Sequence, residues 1–188
     1  MDNRISKQGL LDTLSGWNGF LKKKVHLVAC GGTAMTLIGV KASTKDVDFI
    51  VSVESEYDYL VKTIKDLGYK PASGYGWAKD NGFIFDLFKG KKVFTTELLD
   101  SPLGPSRNIK LVEFSHIYVG ILNYYDLMIS KLFRGTSVDM DDCAALFKSK
   151  KGEIDIKEFT KRFKETASYD VAEDKANKNL DYFLKLVK

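Results

Sequence analysis

Apolar residues recur at helical spacing near the start of the chain. Leu10, Leu14, Trp17 and Leu21 lie three or four positions apart, and this spacing places them on one face of an α-helix. Glycines within the same stretch lower its intrinsic helix propensity. The pattern still predicts an amphipathic helix over the first twenty-odd residues.

A strand, a turn and a second helix are predicted next. Residues 25–30 form a short apolar run that ends in a Gly-Gly pair, which is typical of a buried strand followed by a tight turn. Residues 33–40 then predict a helix, and residues 46–53 predict another strand. This part of the chain therefore has a strand–turn–helix–strand pattern.

A further helix and several short strands are predicted in the middle of the chain. Ser55 with Asp58 three residues later is typical of a helix start, and Leu60, Ile64 and Leu67 give that helix an apolar face. The stretch that follows is rich in Gly, Ser and aromatic residues, and it predicts a loop over 69–81. The strands expected after this loop span 82–88, 93–98 and 109–114.

The last third of the chain has a helical pattern. Helices are expected at 127–133, 140–147, 156–163 and 171–187. We therefore predict an α/β (α+β) fold with two parts. Residues 1–118 would form a small mixed β-sheet with flanking helices, and residues 119–188 would form a helical region packed over the cleft.

The composition is that of an ordinary globular protein. With 188 residues, of which 44% are hydrophobic, the chain can bury one good core, or two small ones that share an interface. The sequence has no secretory leader pattern, and no apolar segment approaches the ~18 to 20 residues needed to cross a bilayer. We therefore expect a cytoplasmic protein without a membrane partner.

The net charge and the cysteines exclude little. A net charge of +4 suits a partner that carries phosphates, but it falls short of the strong imbalance of dedicated nucleic-acid binders. Cys30 and Cys143 lie far apart in the sequence, without the close spacing of a zinc knuckle. We expect both cysteines to be buried small hydrophobic residues.

The segment Gly31-Gly32-Thr33 lies where the first predicted strand meets its helix. Paired glycines there allow backbone N–H groups to approach a phosphate at the positive end of the helix, and Thr33 adds a hydroxyl group. The alternative is a tight turn without a ligand, because Gly-Gly turns are common.

Two aspartates alternate with apolar residues in the next predicted strand. Asp46 and Asp48 project from one face of this strand, while Val47, Phe49 and Val51 face the core. Like charges held side by side repel unless a cation lies between them, and Mg²⁺ binds a few carboxylates together with substrate phosphates. The pair indicates a magnesium site, and the alternative is two solvated aspartates at the start of a strand.

Asp86 stands in the middle of an otherwise apolar strand. A buried isolated carboxylate is unfavourable, so Asp86 should face a partner, and a metal shared with Asp46 and Asp48 would satisfy it. The alternative is an edge-strand aspartate that faces water. Three carboxylates from neighbouring strands would support nucleotidyl transfer with two metal ions.

These motifs together resemble those of a known family. A Gly-Gly-Thr turn, a Thr-x-Asp-Val-Asp strand about ten residues later and a further strand aspartate resemble the polymerase-beta-type nucleotidyltransferase superfamily. The nearest likeness is to its minimal branch, which includes the AbiEii-type toxins of toxin–antitoxin systems. The resemblance implies a triphosphate-binding turn formed by Gly31, Gly32 and Thr33. It also implies a catalytic site for two Mg²⁺ ions formed by Asp46, Asp48 and Asp86.

The likeness extends into the helical part of the chain. Lys131 matches a lysine that reaches the nucleotide phosphates in the toxin-like branch. That branch also has an Arg-x-x-Lys-Asp segment, but here Val138 precedes Asp139 in place of the lysine, and Arg134 is the nearest substitute for the arginine. Without the family resemblance, Lys131 is equally well a surface lysine, and Asp139 with Asp142 is a helix N-terminus favoured by the helix dipole.

The resemblance implies transfer of a nucleoside monophosphate from a nucleoside triphosphate to an unidentified acceptor. That acceptor would be an RNA such as a tRNA end, a protein or a small molecule, and a toxin-like role would add an antitoxin partner. One alternative is a catalytically inactive member that binds a nucleotide or a protein partner, and another is an RNA-binding adaptor. Tyr75 and Trp77 in the predicted loop are candidates to stack a base, with packing in the core or at its rim as the alternative.

Overall fold

The computed structural model describes residues 4–72, 74–80 and 82–188. Its strands are short, and in chain order they are β1 (Ile5–Ser6), β2 (Val25–Ala29), β3 (Ser43–Thr44), β4 (Val47–Val51), β5 (Lys70–Pro71), β6 (Gly76–Ala78), β7 (Phe85–Lys89), β8 (Lys92–Val93), β9 (Thr96–Glu97), β10 (Asn108–Glu113) and β11 (Ile117–Leu122). Three of the helices lie within the strand-rich part of the chain: α1 (Lys7–Asn18), α2 (Gly31–Leu37) and α3 (Glu54–Asp66). Four helices complete the chain: α4 (Tyr124–Arg134), α5 (Ser137–Ser149), α6 (Ile156–Ala167) and α7 (Glu173–Leu186).

Seven of these strands form one mixed sheet in the order β10-β11-β2-β4-β7-β6-β5. Strand β4 lies in the middle, antiparallel to β2 and parallel to β7. Every residue of β4 is buried, which explains its nearly continuous apolar sequence. A carboxylate in such a strand must find its partners inside the fold.

The fold class predicted from the sequence is confirmed. The predicted strands at 25–30, 46–53, 82–88 and 109–114 correspond to β2, β4, β7 and β10, and the predicted helices correspond to α1 to α7 with shifted ends. Residues 1–3 of the first predicted helix lie outside the described residues. The agreement is good because hydrophobic periodicity is a local property of the chain.

Two predicted segments need correction. The predicted loop 69–81 contains strands β5 and β6, which extend the sheet beyond β7, while Ser73 and Asn81 of that stretch lie outside the described residues. The predicted strand 93–98 is instead a tight hairpin of β8 and β9. Both errors concern two- and three-residue strands, which are too short to show a period.

The sheet extends past residue 118 into the region expected to be helical. Strand β11 continues to Leu122, pairs with β10 and lies parallel to β2. The helical part begins at Tyr124, after Asn123 accepts a hydrogen bond from Asp126 N and so caps α4. Strand β11 joins the two parts, because it lies inside the sheet and leads directly into α4.

Helix α4 is held from behind by the last helix of the chain. Its C-terminus turns at Gly135, whose φ of +66° suits a residue without a side chain. Asn179 on α7 donates a hydrogen bond from Nδ2 to the carbonyl oxygen of Leu132 at 2.8 Å. A Cβ atom at position 135 would overlap this amide group. Close packing between α4 and α7 thus depends on a glycine at the turn.

Both cysteines are buried and free, as the sequence predicts. Cys143 Sγ contacts the carbonyl oxygen of Met128 at 3.8 Å, so it packs as a small core residue. In the part of the chain that the structure describes, no helix combines the length and apolar character needed to span a bilayer.

Candidate active site

A cavity of about 550 Å³ lies between the turn at Gly31-Gly32, the start of β4, the C-terminal end of α4 and the N-terminal end of α5. It brings together groups that are far apart in the sequence. Its lining includes Gly32, Asp46, Asp48, Asp86, Lys131 and Arg134. Carboxylates and cations therefore line the same space.

Asp48 and Asp86 are partners in the register of the parallel strands β4 and β7. Side chains at paired positions of neighbouring strands project from the same face, so the two carboxylates are neighbours. Asp48 is 4% exposed, whereas Asp86 is half-buried. Asp46 lies just before β4, is exposed, and completes the acidic side of the cavity.

The Gly-Gly turn packs against this acidic side. Gly31 has a φ of +55°, and a Cβ atom built there would overlap Asp48 Oδ2. A Cβ atom at Gly32 would lie 2.6 Å from Thr44 Oγ1. Both positions therefore need glycine because the turn approaches its neighbours so closely. Of the two glycines, Gly32 lines the cavity.

Thr33 supports the aspartate segment from behind. Its side-chain oxygen accepts a hydrogen bond from the backbone N–H of Asp48 at 2.8 Å and donates one to the carbonyl oxygen of Asp46 at 3.2 Å. Thr44 donates a second hydrogen bond to that carbonyl, at 2.9 Å. Thr33 is fully buried, so its hydroxyl positions the backbone of the two aspartates.

Burial and like charge both act on Asp48. Desolvation raises the pKa of Asp48 to about 7, with a further contribution from Asp86, while the positive charge of Arg134 acts in the opposite direction. The pKa of Asp86 is raised as well, first by burial and then by Asp46. The acidic side therefore favours a bound cation, which would remove the repulsion between its carboxylates.

A buried ion-pair cluster forms a second side of the cavity. Lys131 on α4 is 2% exposed, and its Nζ lies 2.6 Å from Asp142 Oδ2 on α5. Lys41 Nζ lies 2.6 Å from the other oxygen of Asp142. Asp142 thus forms ion pairs with both Lys131 and Lys41 beside the cavity. The interpretation of Asp142 as part of a simple helix N-terminus does not describe these contacts.

Arg134 belongs to the same side of the cavity. Its NH2 group donates a hydrogen bond to Asp139 Oδ1 at 2.6 Å, and its guanidinium carbon lies 4.1 Å from the ring centroid of Phe94. Asp139 also caps α5 through a reciprocal pair of contacts with Thr136. Arg134 Nε is buried and has no hydrogen-bond partner among the described residues. A buried charged donor without an acceptor is costly, and a ligand oxygen would satisfy it.

The family comparison agrees with this arrangement. A family described as nucleotidyltransferase of unknown function (DUF6036) matches residues 18–187, which include every site residue discussed above. The chain belongs to this family. No curated protein matches it. Membership of a nucleotidyltransferase family is thus confirmed, and the toxin-like branch stays a prediction.

In this nucleotidyltransferase-family chain the described acidic residues do not by themselves form a complete metal-binding site. Among residues 4–72, 74–80 and 82–188, no group of three or more His, Cys, Asp or Glu side chains is arranged to hold a metal ion. Mg²⁺, however, commonly uses one or two carboxylates together with waters and substrate phosphates. The oxygen donors of Asp48 and Asp86 fit that mode of binding, in which the substrate supplies the remaining ligands.

The cavity of this family member brings together most of the residues singled out in the sequence. Asp46, Asp48, Asp86, Gly32 and Lys131 line it. Gly31 and Thr33 lie directly behind this lining. The two aromatic residues considered for base stacking, Tyr75 and Trp77, lie elsewhere, since neither lines the cavity.

Sequence reasoning missed Lys41 and Phe94 and gave Asp142 too small a role. Lys41 and Asp142 have no local pattern that reveals an ion pair, because the pairing depends on how α5 lies against the segment that follows α2. Phe94 lies within residues 93–98, which the sequence predicts to be a single strand. Its position at a hairpin turn becomes visible only in the three-dimensional structure.

Proposed function

We propose that this chain is a magnesium-dependent nucleotidyltransferase that moves a nucleoside monophosphate from a nucleoside triphosphate to an acceptor hydroxyl group. The observation that supports this most strongly is the Asp48–Asp86 pair, which lines the same cavity as Lys131 and Arg134. A triphosphate carries negative charge that suits the cationic side, and a divalent cation suits the acidic side.

Each side of the cavity would have a separate task. Asp46, Asp48 and Asp86 would hold magnesium together with the triphosphate, and the metal would then neutralise phosphate charge and orient the reacting groups. Lys131 and Arg134 would contact phosphate oxygens. Arg134 Nε, which has no hydrogen-bond partner among the described residues, is the donor most available for this purpose. The Gly31 turn would let the backbone approach the same phosphates closely.

The reaction would proceed by in-line displacement at the α-phosphorus. The acceptor oxygen forms a bond to the α-phosphorus, and the bond between that phosphorus and the pyrophosphate oxygen breaks. The acceptor proton passes to a carboxylate, for which Asp86 is the candidate because it is only half-buried and so more accessible to an acceptor than Asp48. Pyrophosphate leaves with the bonding electron pair, and the cationic side stabilises its charge.

Calorimetric titration of each of the four nucleoside triphosphates with magnesium tests this proposal. We expect magnesium-dependent binding by the wild type and loss of binding in the Asp46→Asn/Asp48→Asn double variant. Asp141→Asn is a matched control, because Asp141 is exposed on α5 and does not line the cavity. A folded wild type that binds no triphosphate would contradict the proposal.

A second experiment follows the transferred group. Incubation with a triphosphate labelled at the α-phosphorus, together with cellular RNA and protein, should place label on the acceptor in the wild type only. Magnesium-dependent binding without any transfer would favour the inactive, nucleotide-binding alternative. Growth arrest on expression, abolished by Asp46→Asn/Asp48→Asn, would support a toxin-like role with an antitoxin partner.

A further inference from the structure

The hairpin of β8 and β9 turns at a residue that is unusual for its position. Lys92 pairs with Glu97 and Val93 pairs with Thr96, which leaves Phe94 and Thr95 as a two-residue loop. Phe94 has a φ of +52°. Two-residue hairpin loops need positive φ and normally use Gly, Asn or Asp there. A bulky aromatic residue in this conformation is strained, so something other than turn formation favours it.

The strained turn directs the Phe94 ring into the candidate active site. The ring centroid lies 4.7 Å from that of Phe88, which is two residues beyond Asp86 on β7. The guanidinium group of Arg134 stacks 4.1 Å from the same centroid. Among the described residues that line the cavity, Phe94 carries the only aromatic ring. The remaining lining is dominated by charged and small polar groups.

The proposed substrate includes a nucleobase, which the charged residues of the lining do not bind by apolar contact. A nucleoside triphosphate consists of a phosphate chain, a sugar and a flat aromatic base, and a base needs an apolar surface on which to stack. Phe94 supplies such a surface beside Arg134, which would hold the phosphates of the same molecule. The base of an acceptor strand has no such covalent link to these phosphates, so the donor base is the better match.

We propose that Phe94 is the platform on which the nucleobase of the bound nucleoside triphosphate stacks. This inference rests on the proposed function and adds the binding site for the base. Arg134 stacks on the same ring, and a cation stacked on an aromatic ring holds that ring in place. Stacking of this kind tolerates every base, because each base has a π-face.

The test compares a ligand that has a base with one that lacks it. Magnesium complexes of ATP and of inorganic tripolyphosphate are titrated into the wild type, Phe94→Asn, Phe94→Tyr and Arg134→Gln. Asn tolerates positive φ, so Phe94→Asn removes the ring without straining the turn. Phe94→Tyr keeps the ring and acts as the matched control. Thermal unfolding of each variant verifies that it is folded.

We expect Phe94→Asn to weaken ATP binding by about five- to a hundred-fold and to leave tripolyphosphate binding unchanged. Phe94→Tyr should bind both ligands like the wild type, and Arg134→Gln should weaken both. Equal weakening of both ligands by Phe94→Asn would overturn the inference, because the ring would then serve only to position Arg134. Equal affinity of the wild type for ATP and tripolyphosphate would overturn it as well, while leaving a triphosphate site in place. Failure of the wild type to bind either ligand would overturn the proposed function itself.

Discussion

The side-chain oxygen of Thr33 accepts a hydrogen bond from the backbone N–H of Asp48 at 2.8 Å. One hydroxyl group thus connects the Gly-Gly turn to the strand that carries the central aspartate. The same hydroxyl donates to the carbonyl oxygen of Asp46, so it fixes the backbone on both sides of Val47. The turn and the acidic residues therefore form one structural unit.

Replacing Thr33 by valine should show the value of this connection. Thr33→Val keeps the shape of the side chain but leaves the buried N–H of Asp48 without its acceptor. The free energy of unfolding should fall by about 1–3 kcal/mol, as measured by urea denaturation. Thr33→Ser keeps the hydroxyl group, so its free energy of unfolding should fall less than that of Thr33→Val. Equal stability of Thr33→Val and the wild type would show that the hydrogen bond contributes nothing.

Gly31→Ala should be far more harmful than Gly39→Ala. Both glycines have positive φ, but a Cβ atom at Gly31 overlaps Asp48 Oδ2, whereas a Cβ atom at Gly39 meets no atom of the described residues within 4 Å. Gly39→Ala should therefore show only the backbone cost of about 1–2 kcal/mol, with nucleotide binding intact. Gly31→Ala should add displacement of Asp48 and loss of magnesium-dependent nucleotide binding in calorimetry. Similar behaviour of the two variants would contradict this explanation.

The stability of the metal-free protein should fall as the pH rises from about 4 to 7. Asp48 has a pKa of about 7 in the folded chain, against 3.8 for an ordinary aspartate. Between these values the folded state binds a proton that the unfolded state has released. Stability linked to this group is therefore present at low pH and is lost as pH rises through the folded pKa. Urea denaturation at several pH values with a chelator present measures this slope.

Asp48→Asn supplies the control for that slope. The variant cannot ionise at position 48, so its pH dependence should be flatter than that of the wild type over the same range. At pH 8 the metal-free variant should be more stable than the metal-free wild type, because a buried negative charge has been removed. An unchanged slope in Asp48→Asn would assign the pH dependence to other groups.

A double-mutant cycle should reveal strong coupling between Lys131 and Asp142. Asp142→Leu leaves the buried Lys131 without its closest anion and should cost roughly 3–5 kcal/mol. The double variant Lys131→Met/Asp142→Leu removes both charges and should recover much of that loss. Urea denaturation of the two single variants and the double variant gives the coupling free energy. Additive effects of the single changes would contradict a direct interaction.

The sequence predicts the acidic side of the cavity better than the cationic side. The Gly-Gly turn and the spacing of Asp46 and Asp48 depend on residues that are neighbours in the chain, and an acid within an apolar strand is visible at Asp86. The register that places Asp86 beside Asp48 depends on long-range strand pairing, so only the two strands themselves are predictable.

The cationic side depends on packing between helices. Nothing in the local pattern shows that Asp142 pairs with both Lys131 and Lys41, because exposed and buried lysines look the same in a sequence. Phe94 was harder still to predict, since its turn lacks the residues that normally mark a hairpin. A residue that breaks a local rule is recognised only when its three-dimensional neighbours are known.

The hydrogen bond from Asn179 to Leu132 connects the end of α4 to a helix that is synthesised later. Asp142 is the last cavity-lining residue along the chain, and Asn179 lies on the final helix. At roughly 5–20 residues per second, a ribosome adds Asn179 a few seconds after Asp142. During that interval the growing chain carries all the groups of the cavity but lacks the contact that secures the end of α4. The end of α4 is therefore secured only after α7 has been made.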